Sequence, residues 1–137
     1  MKLKLINSLF VLALLTVALS GNALAMSELS KTVKVEQVTD LQKAGTLVLD
    51  VREVAEYAEA HVAGSTLIPL GQLAQRLQEL GADKSKPVVL ICRSGRRSAQ
   101  ALTILEQAGF SAASNVEGGM LAWQKAGLPV ITGAASR

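Results

Sequence analysis

Short apolar runs alternate with longer amphipathic segments along most of the chain. Residues 47–49 and 88–91 are apolar, and residues 66–68 are a threonine followed by two apolar residues. All three segments are too short for a helix and partly β-branched, which is typical of buried strands. Weaker strand patterns occur at residues 33–35 and 113–116. The pattern therefore predicts about five strands.

Apolar positions at helical spacing predict helices between these strands. The spacing covers residues 54–61, 70–80 and 101–108, and shorter helices are expected from about residues 39–40 and over 120–125. Strands that alternate with helices are typical of a parallel sheet with helices packed on it. We expect one α/β domain with a central, mostly parallel sheet of about five strands and helices on both faces. A ligand site is expected beyond the carboxyl ends of the strands.

The first 25 residues have the pattern of a secretory signal peptide. Lys2 and Lys4 form a basic start, an apolar stretch covers residues 9–19, and Ala23-Leu24-Ala25 provides a small-x-small cleavage site. The apolar stretch is shorter than the roughly 20 residues that span a bilayer, which disfavours an uncleaved anchor. We therefore expect cleavage after Ala25, export, and no stable membrane association afterwards. The mature chain is expected to have a flexible segment at 26–32, a domain at 33–131 and a flexible tail at 132–137.

Composition excludes several classes of function. The chain has 137 residues and a formal net charge of +3, but without Lys2 and Lys4 the mature part has 12 basic and 11 acidic residues, a net charge of +1. Aromatic residues make up 3%, so a nucleic-acid partner is not expected. One cysteine and one histidine exclude an internal disulfide, a paired-cysteine redox centre and a zinc cluster. No metal and no cofactor are expected.

The single cysteine, Cys92, directly follows the clearest strand and precedes a helix. The connecting loop reads Cys92-Arg93-Ser94-Gly95-Arg96-Arg97-Ser98, after which the helix is expected to begin. Free N–H groups at the helix start, the helix dipole and three arginines all favour thiolate over thiol. Inward-facing loop amides would also bind a small oxyanion. The alternative is a buried cysteine that acts as a small apolar residue.

The loop Cys92-Arg93-Ser94-Gly95-Arg96-Arg97 resembles the six-residue active-site loop of rhodanese-like sulfurtransferases. The resemblance extends in chain order over roughly residues 33–131. The flanking segments that carry it are Asp50-Val51-Arg52, Glu56-Tyr57, His61-Val62-Ala63-Gly64, Ile68-Pro69, Val116-Glu117-Gly118-Gly119, Trp123 and Gly127-Leu128-Pro129-Val130.

The resemblance implies a thiosulfate sulfurtransferase with Cys92 as the nucleophile. Its thiolate would take a sulfur from an anionic donor such as thiosulfate, and a thiol or cyanide would then accept that sulfur from the persulfide. The substrate would be bound by Arg93, Ser94, Gly95, Arg96, Arg97 and Ser98. The resemblance is greatest to single-domain members of the family that are exported to the periplasm, which implies a periplasmic location. A partner protein could also serve as the sulfur acceptor.

The resemblance also suggests roles for residues outside the loop. An Asp50–Arg97 pair, joined by Arg52, is expected to brace the loop, although an ordinary surface pair remains the alternative. His61 is expected to make a packing contact or a backbone hydrogen bond rather than to act in catalysis. Trp123 is expected in the core.

Two other functions remain open from the sequence. A phosphatase or arsenate reductase on the same fold would use a Cys-x5-Arg loop, but here Arg97 is the fifth residue after Cys92 and Ser98 is the sixth. A persulfide carrier that docks on a partner without enzymatic turnover would need the same cysteine. Turnover with a small acceptor distinguishes an enzyme from a carrier.

Overall fold

The computed structural model describes residues 31–135. The expected signal peptide, residues 26–30 and residues 136–137 lie outside this range, so the signal sequence and the exact domain limits remain predictions. Within residues 31–135, no helix combines the length and the apolar character needed to cross a membrane.

Eleven elements follow one another along the described chain. The strands are β1 (Thr32–Val33), β2 (Leu47–Asp50), β3 (Thr66–Leu67), β4 (Val88–Ile91) and β5 (Ala113–Val116). The helices are α1 (Val35–Lys43), α2 (Val54–Glu59), α3 (Leu70–Leu73), α4 (Arg96–Gln107) and α5 (Gly119–Lys125), with a 3₁₀ helix at Leu77–Leu80.

The five strands form one sheet in the order β1-β5-β4-β2-β3, and every neighbouring pair is parallel. In the centre of the sheet, Asp50 of β2 lies opposite Ile91 of β4. The carboxyl ends of β2 and β4 therefore meet at one edge, where Arg52 and Cys92 follow their strands. The expected single α/β domain with a parallel sheet is confirmed.

Alternate side chains of β4 enter two separate core layers, because successive strand residues point to opposite faces of a sheet. Val88, Leu90 and Cys92 pack in a cluster with Ala101 and Leu105 of α4. Val89 and Ile91 pack in the other cluster, which contains Val38 of α1 and Trp123 of α5. Helices thus cover both faces, and Cys92 lies on the face of α4.

The predicted strand at residues 33–35 and the helix start at residues 39–40 were wrong. β1 ends at Val33, and α1 already begins at Val35. Val35 and Val38 lie three residues apart and are both buried. The side-chain oxygen of Gln37 accepts the Lys34 N–H at 2.9 Å, which satisfies a free donor at the helix start.

Two predicted helices are shorter than their apolar spacing indicated. The helix expected over 54–61 ends at Glu59, because Ala60 is extended and His61 forms an antiparallel bridge with Ile131. The helix expected over 70–80 is divided into α3 and the 3₁₀ helix. At this division the Arg76 N–H donates to the Leu73 carbonyl at 3.0 Å, a bond three residues back instead of four.

Candidate active site

The Cys92 loop joins β4 to α4 through Gly95. Gly95 has φ +99°, a left-handed conformation that glycine adopts without steric cost, and it caps α4. Its carbonyl accepts the Ala99 N–H at 3.1 Å. The helix therefore begins at Arg96, before the position expected from the sequence. As a result, Arg96, Arg97 and Ser98 belong to the first helical turn rather than to the loop.

The sulfur of Cys92 accepts hydrogen bonds from this turn. The Gly95 N–H lies 3.1 Å from Sγ, and the hydroxyl of Ser98, itself fully buried, lies 3.3 Å away. Burial raises the pKa of the Cys92 thiol, but hydrogen bonds from the Ser98 hydroxyl and from the amides of Ser98, Gly95 and Ser94 lower it by more. The net pKa lies below that of an ordinary cysteine, so these donors stabilise a thiolate.

The start of α5 holds the other side of the loop. The Met120 N–H donates to the Cys92 carbonyl at 2.8 Å, and the Leu121 N–H donates to the Arg93 carbonyl at 3.0 Å. Gly119, with φ +54°, lies so close that a Cβ atom there would overlap the Cys92 carbonyl oxygen. With their carbonyls bound to α5, Cys92 and Arg93 are held in one backbone conformation. No pattern in the sequence indicated this contact.

The expected Asp50–Arg97 pair does not form. Asp50 instead binds Arg52: Arg52 Nη2 lies 2.6 Å from Oδ2, Nε lies within hydrogen-bond distance of both carboxylate oxygens, and the Arg52 N–H donates to Oδ1 at 3.0 Å. Arg52 also donates to the carbonyls of Glu56 and Ala60. This buried pair therefore ties the end of β2 to α2, and the carboxylate of Asp50 is already occupied.

Arg97 binds Glu56 of α2 in a two-pronged ion pair. Both of its terminal nitrogens lie 2.7 Å from a Glu56 carboxylate oxygen. This hydrogen bonding with Arg97 lowers the pKa of Glu56 to about 2. Arg97 thus ties the start of α4 to α2, and its charge is neutralised by a neighbour. Glu56 lies in a segment that carries the family resemblance, but its sequence position gave no sign of its partner.

Three polar side chains of the loop and the first turn form no hydrogen bond or ion pair with the described residues. Within residues 31–135, the side chains of Arg93, Ser94 and Arg96 form no hydrogen bond or ion pair, and all three residues are exposed. Arg93 and Arg96, one and four residues after Cys92, therefore carry two positive charges that no described residue neutralises. The site combines a stabilised thiolate, inward-facing amides and free cations, an arrangement suited to nucleophilic attack on an anion.

His61 and Trp123 lie in the core. The ring of His61 stacks on that of Tyr57 with centroids 3.6 Å apart, and its Nδ1 lies 2.7 Å from the Tyr57 carbonyl oxygen. Trp123 is buried, and its indole N–H donates to the Pro129 carbonyl at 3.0 Å. The predictions of a packing role for His61 and a core position for Trp123 are confirmed.

Ser98→Ala is expected to raise the pKa of the Cys92 thiol, because it removes the hydroxyl donor to Sγ. At neutral pH, alkylation of the protein by iodoacetamide should slow by about tenfold, the effect of one charge-assisted hydrogen bond. At high pH the variant and the native protein should react alike, since both are then fully ionised. Ser94→Ala is the matched control, because its hydroxyl is free while its amide is retained. Identical pH profiles for native protein and Ser98→Ala would contradict this assignment.

Known proteins resemble this chain in sequence and in fold. The family model of the rhodanese-like domain matches residues 34–126 of this chain. A thiosulfate sulfurtransferase of Pseudomonas fluorescens is 35% identical over 99 residues, which cover 72% of this chain and 88% of that protein. A putative sulfur carrier protein of Bacillus subtilis is 36% identical over 104 residues, covering 76% of this chain and 54% of that protein. This chain therefore spans about half the length of the Bacillus protein.

A solved structure shows the same architecture. The crystal structure of a rhodanese-related protein from Thermoplasma volcanium superposes with a TM-score of 0.67 at 35% identity, and it covers 74% of this chain and 97% of that one. The family model, the sequence identities and the fold thus agree, and the chain belongs to the rhodanese-like domain family of sulfurtransferases.

Proposed function

We propose that this protein moves sulfane sulfur from an anionic donor such as thiosulfate to a thiol or cyanide through a persulfide on Cys92. The observation that carries the proposal is the placement of Sγ, which accepts hydrogen bonds from the Gly95 amide and the Ser98 hydroxyl at the start of α4. The name of the Pseudomonas relative supports the choice of thiosulfate.

In the first half-reaction the Cys92 thiolate attacks the outer sulfur of thiosulfate. The bond between Sγ and that sulfur forms while the sulfur–sulfur bond of thiosulfate breaks, and sulfite leaves with the bonding electron pair. Cys92 is 1% exposed, so the donor must present a narrow end, and the terminal sulfur of thiosulfate is one atom wide. The loop amides then stabilise the negative charge of the persulfide.

In the second half-reaction an acceptor takes the outer sulfur. Cyanide or a thiolate attacks that sulfur, the bond to Sγ breaks, and its electron pair returns to Cys92 as thiolate. The products are thiocyanate or a new persulfide. Since the two substrates react in separate steps, the kinetics are of the ping-pong form.

Arg93 and Arg96 are the side chains proposed to attract the donor, because both are exposed and neither is neutralised within the described residues. Arg97 was expected to bind the substrate, but we assign it a positioning role. Both of its terminal nitrogens are bound to Glu56, so it positions the start of α4 instead of binding the donor.

A carrier function is the second candidate, and the name of the Bacillus relative favours it. A carrier would pass one sulfur to a partner protein and would not turn over with small acceptors. A phosphatase function is disfavoured. A phosphatase loop has an arginine as the sixth residue after the cysteine. Here that residue is Ser98, whose hydroxyl donates to the sulfur, and the preceding Arg97 forms an ion pair with Glu56.

The proposal includes export to the periplasm. It is supported by the basic, apolar and small-x-small pattern of residues 1–25. Fractionation of cells that express the full chain tests this part, with the mature form expected outside the cytoplasm.

Steady-state formation of thiocyanate tests the enzymatic function. With thiosulfate and cyanide varied, the native protein should give the parallel double-reciprocal lines of a ping-pong reaction, and Cys92→Ala should give no turnover above background. A native protein that is stably folded and makes no thiocyanate would contradict the enzyme. Stoichiometric loading without turnover would instead support the carrier.

A further inference from the structure

A cavity of about 250 Å³ lies between α2 and the start of α5, directly beside the cysteine loop. Its wall includes Arg93, the residue that follows Cys92. The other lining residues are Arg52, Glu56, Glu59, Met120, Leu121 and Gln124. This volume lies just below the roughly 300–1,000 Å³ of sites for drug-sized ligands, so the cavity suits a smaller molecule.

Four charged side chains line this cavity, and two of them are already paired. Arg52 is bound to Asp50, and Glu56 is bound to Arg97. The side chains of Arg93 and Glu59 form no hydrogen bond or ion pair with any described residue, nor with each other. One free cation and one free anion therefore line the same small cavity.

On the side of α5 the wall is apolar at Met120 and Leu121 and polar at Gln124. Met120 is buried, while Leu121 is 46% exposed although it is a large apolar side chain. The N–H of Leu121 is bound to the Arg93 carbonyl, so this apolar surface is fixed relative to the loop. A ligand that fits carries a negative group for Arg93, a positive group for Glu59 and a short apolar stem.

We propose that this cavity is the acceptor subsite and that it binds a small thiol carrying both a carboxylate and an ammonium group, that is, an amino-acid thiol. Arg93 binds the carboxylate and Glu59 binds the ammonium group. The thiolate of this acceptor attacks the outer sulfur of the Cys92 persulfide, its own carbon-bound sulfur gains that atom, and the electron pair of the broken bond returns to Cys92. This inference rests on the proposed function, since it names the acceptor of the same reaction.

Single-turnover discharge of the loaded protein tests the proposal. The protein is loaded with thiosulfate, freed of excess donor, and mixed with cysteine, N-acetylcysteine, cysteamine or cyanide at equal concentrations of the reactive anion. Cysteine should discharge the persulfide faster than N-acetylcysteine, which lacks the ammonium group, and faster than cysteamine, which lacks the carboxylate. The cyanide rate is the reference for each protein, because cyanide carries neither group.

Glu59→Gln removes the free anion and should slow discharge by cysteine, relative to cyanide, by roughly two- to fivefold, the range of an exposed ion pair. Discharge by N-acetylcysteine, which has no ammonium group, should keep its ratio to cyanide. Glu36→Gln is the matched control, because it removes one negative charge from an exposed residue of α1 outside this cavity.

The outcomes separate this inference from the function on which it rests. A protein that takes no sulfur from thiosulfate contradicts the proposed function and the subsite together. A protein that loads normally, but whose Glu59→Gln variant keeps the native ratio of cysteine to cyanide discharge, overturns the subsite alone. An equal loss in Glu36→Gln overturns it as well, since the effect would then be one of overall charge.

Discussion

Gly119→Ala is expected to lower kcat/KM for sulfur transfer by about a hundredfold, the effect of moving a catalytic group by roughly 1 Å. The new Cβ atom would overlap the Cys92 carbonyl oxygen and lie 2.8 Å from the carbonyl carbon and oxygen of Arg93. All three are backbone atoms of the loop, so relief of the overlap must move the loop itself. The positive φ of Gly119 adds strain.

Gly127→Ala is the matched control for this substitution. Gly127 also has a positive φ, at +68°, but a Cβ atom there would meet nothing within 4 Å. Both variants should retain the helical circular dichroism spectrum, and Gly119→Ala should lose transfer activity while Gly127→Ala keeps most of it. Equal activity in the two variants would contradict the proposed role of Gly119 in holding the loop.

Arg52→Met is expected to lower the free energy of unfolding by about 3–5 kcal/mol, because it leaves a buried carboxylate without its partner. The side chains of Arg52 and Asp50 are 6% and 0% exposed, so water cannot replace the lost hydrogen bonds of Asp50. The loss is a large part of the roughly 5–15 kcal/mol that stabilises a domain. Urea denaturation followed by circular dichroism measures it.

Two further variants test whether the loss of stability comes from breaking the buried ion pair or from removing any arginine. Arg76→Met breaks an exposed pair with Glu79 and should leave the urea midpoint almost unchanged. The double variant Asp50→Asn, Arg52→Met should be more stable than Arg52→Met alone, because it removes the uncompensated charge. A native urea midpoint in Arg52→Met would show that the pair does not stabilise the fold.

Most strands could be predicted from the sequence because their signals are local, but the strand predicted at residues 33–35 was wrong. Val88–Ile91 has the bounds expected from its apolar run, and Ala113–Val116 has those expected from its weaker strand pattern. Helix ends were predicted less well. The start of α1 depends on a bond between Gln37 and the Lys34 amide, and the end of α2 depends on pairing of His61 with Ile131, which is 70 positions along the chain. Such long-range pairing leaves no mark in the local pattern.

The site was predicted where residue type alone determines the chemistry. A cysteine between a buried strand and a helix start indicated a nucleophile, and the structure gives it donors from Gly95 and Ser98. Ion pairs were not predictable, since the domain has several charged residues near the site and sequence does not say which meet. Arg52 lies two residues from Asp50 and occupies its carboxylate, which leaves Arg97 to bind Glu56.

Intact mass spectrometry of the protein after incubation with thiosulfate tests most directly whether Cys92 carries the transferred sulfur. We expect the native protein to gain one sulfur atom, to lose it on addition of cyanide with release of thiocyanate, and to yield a peptide that places the sulfur on Cys92. Cys92→Ala should gain nothing. A native protein that gains no sulfur, or a Cys92→Ala variant that gains it, would contradict the account.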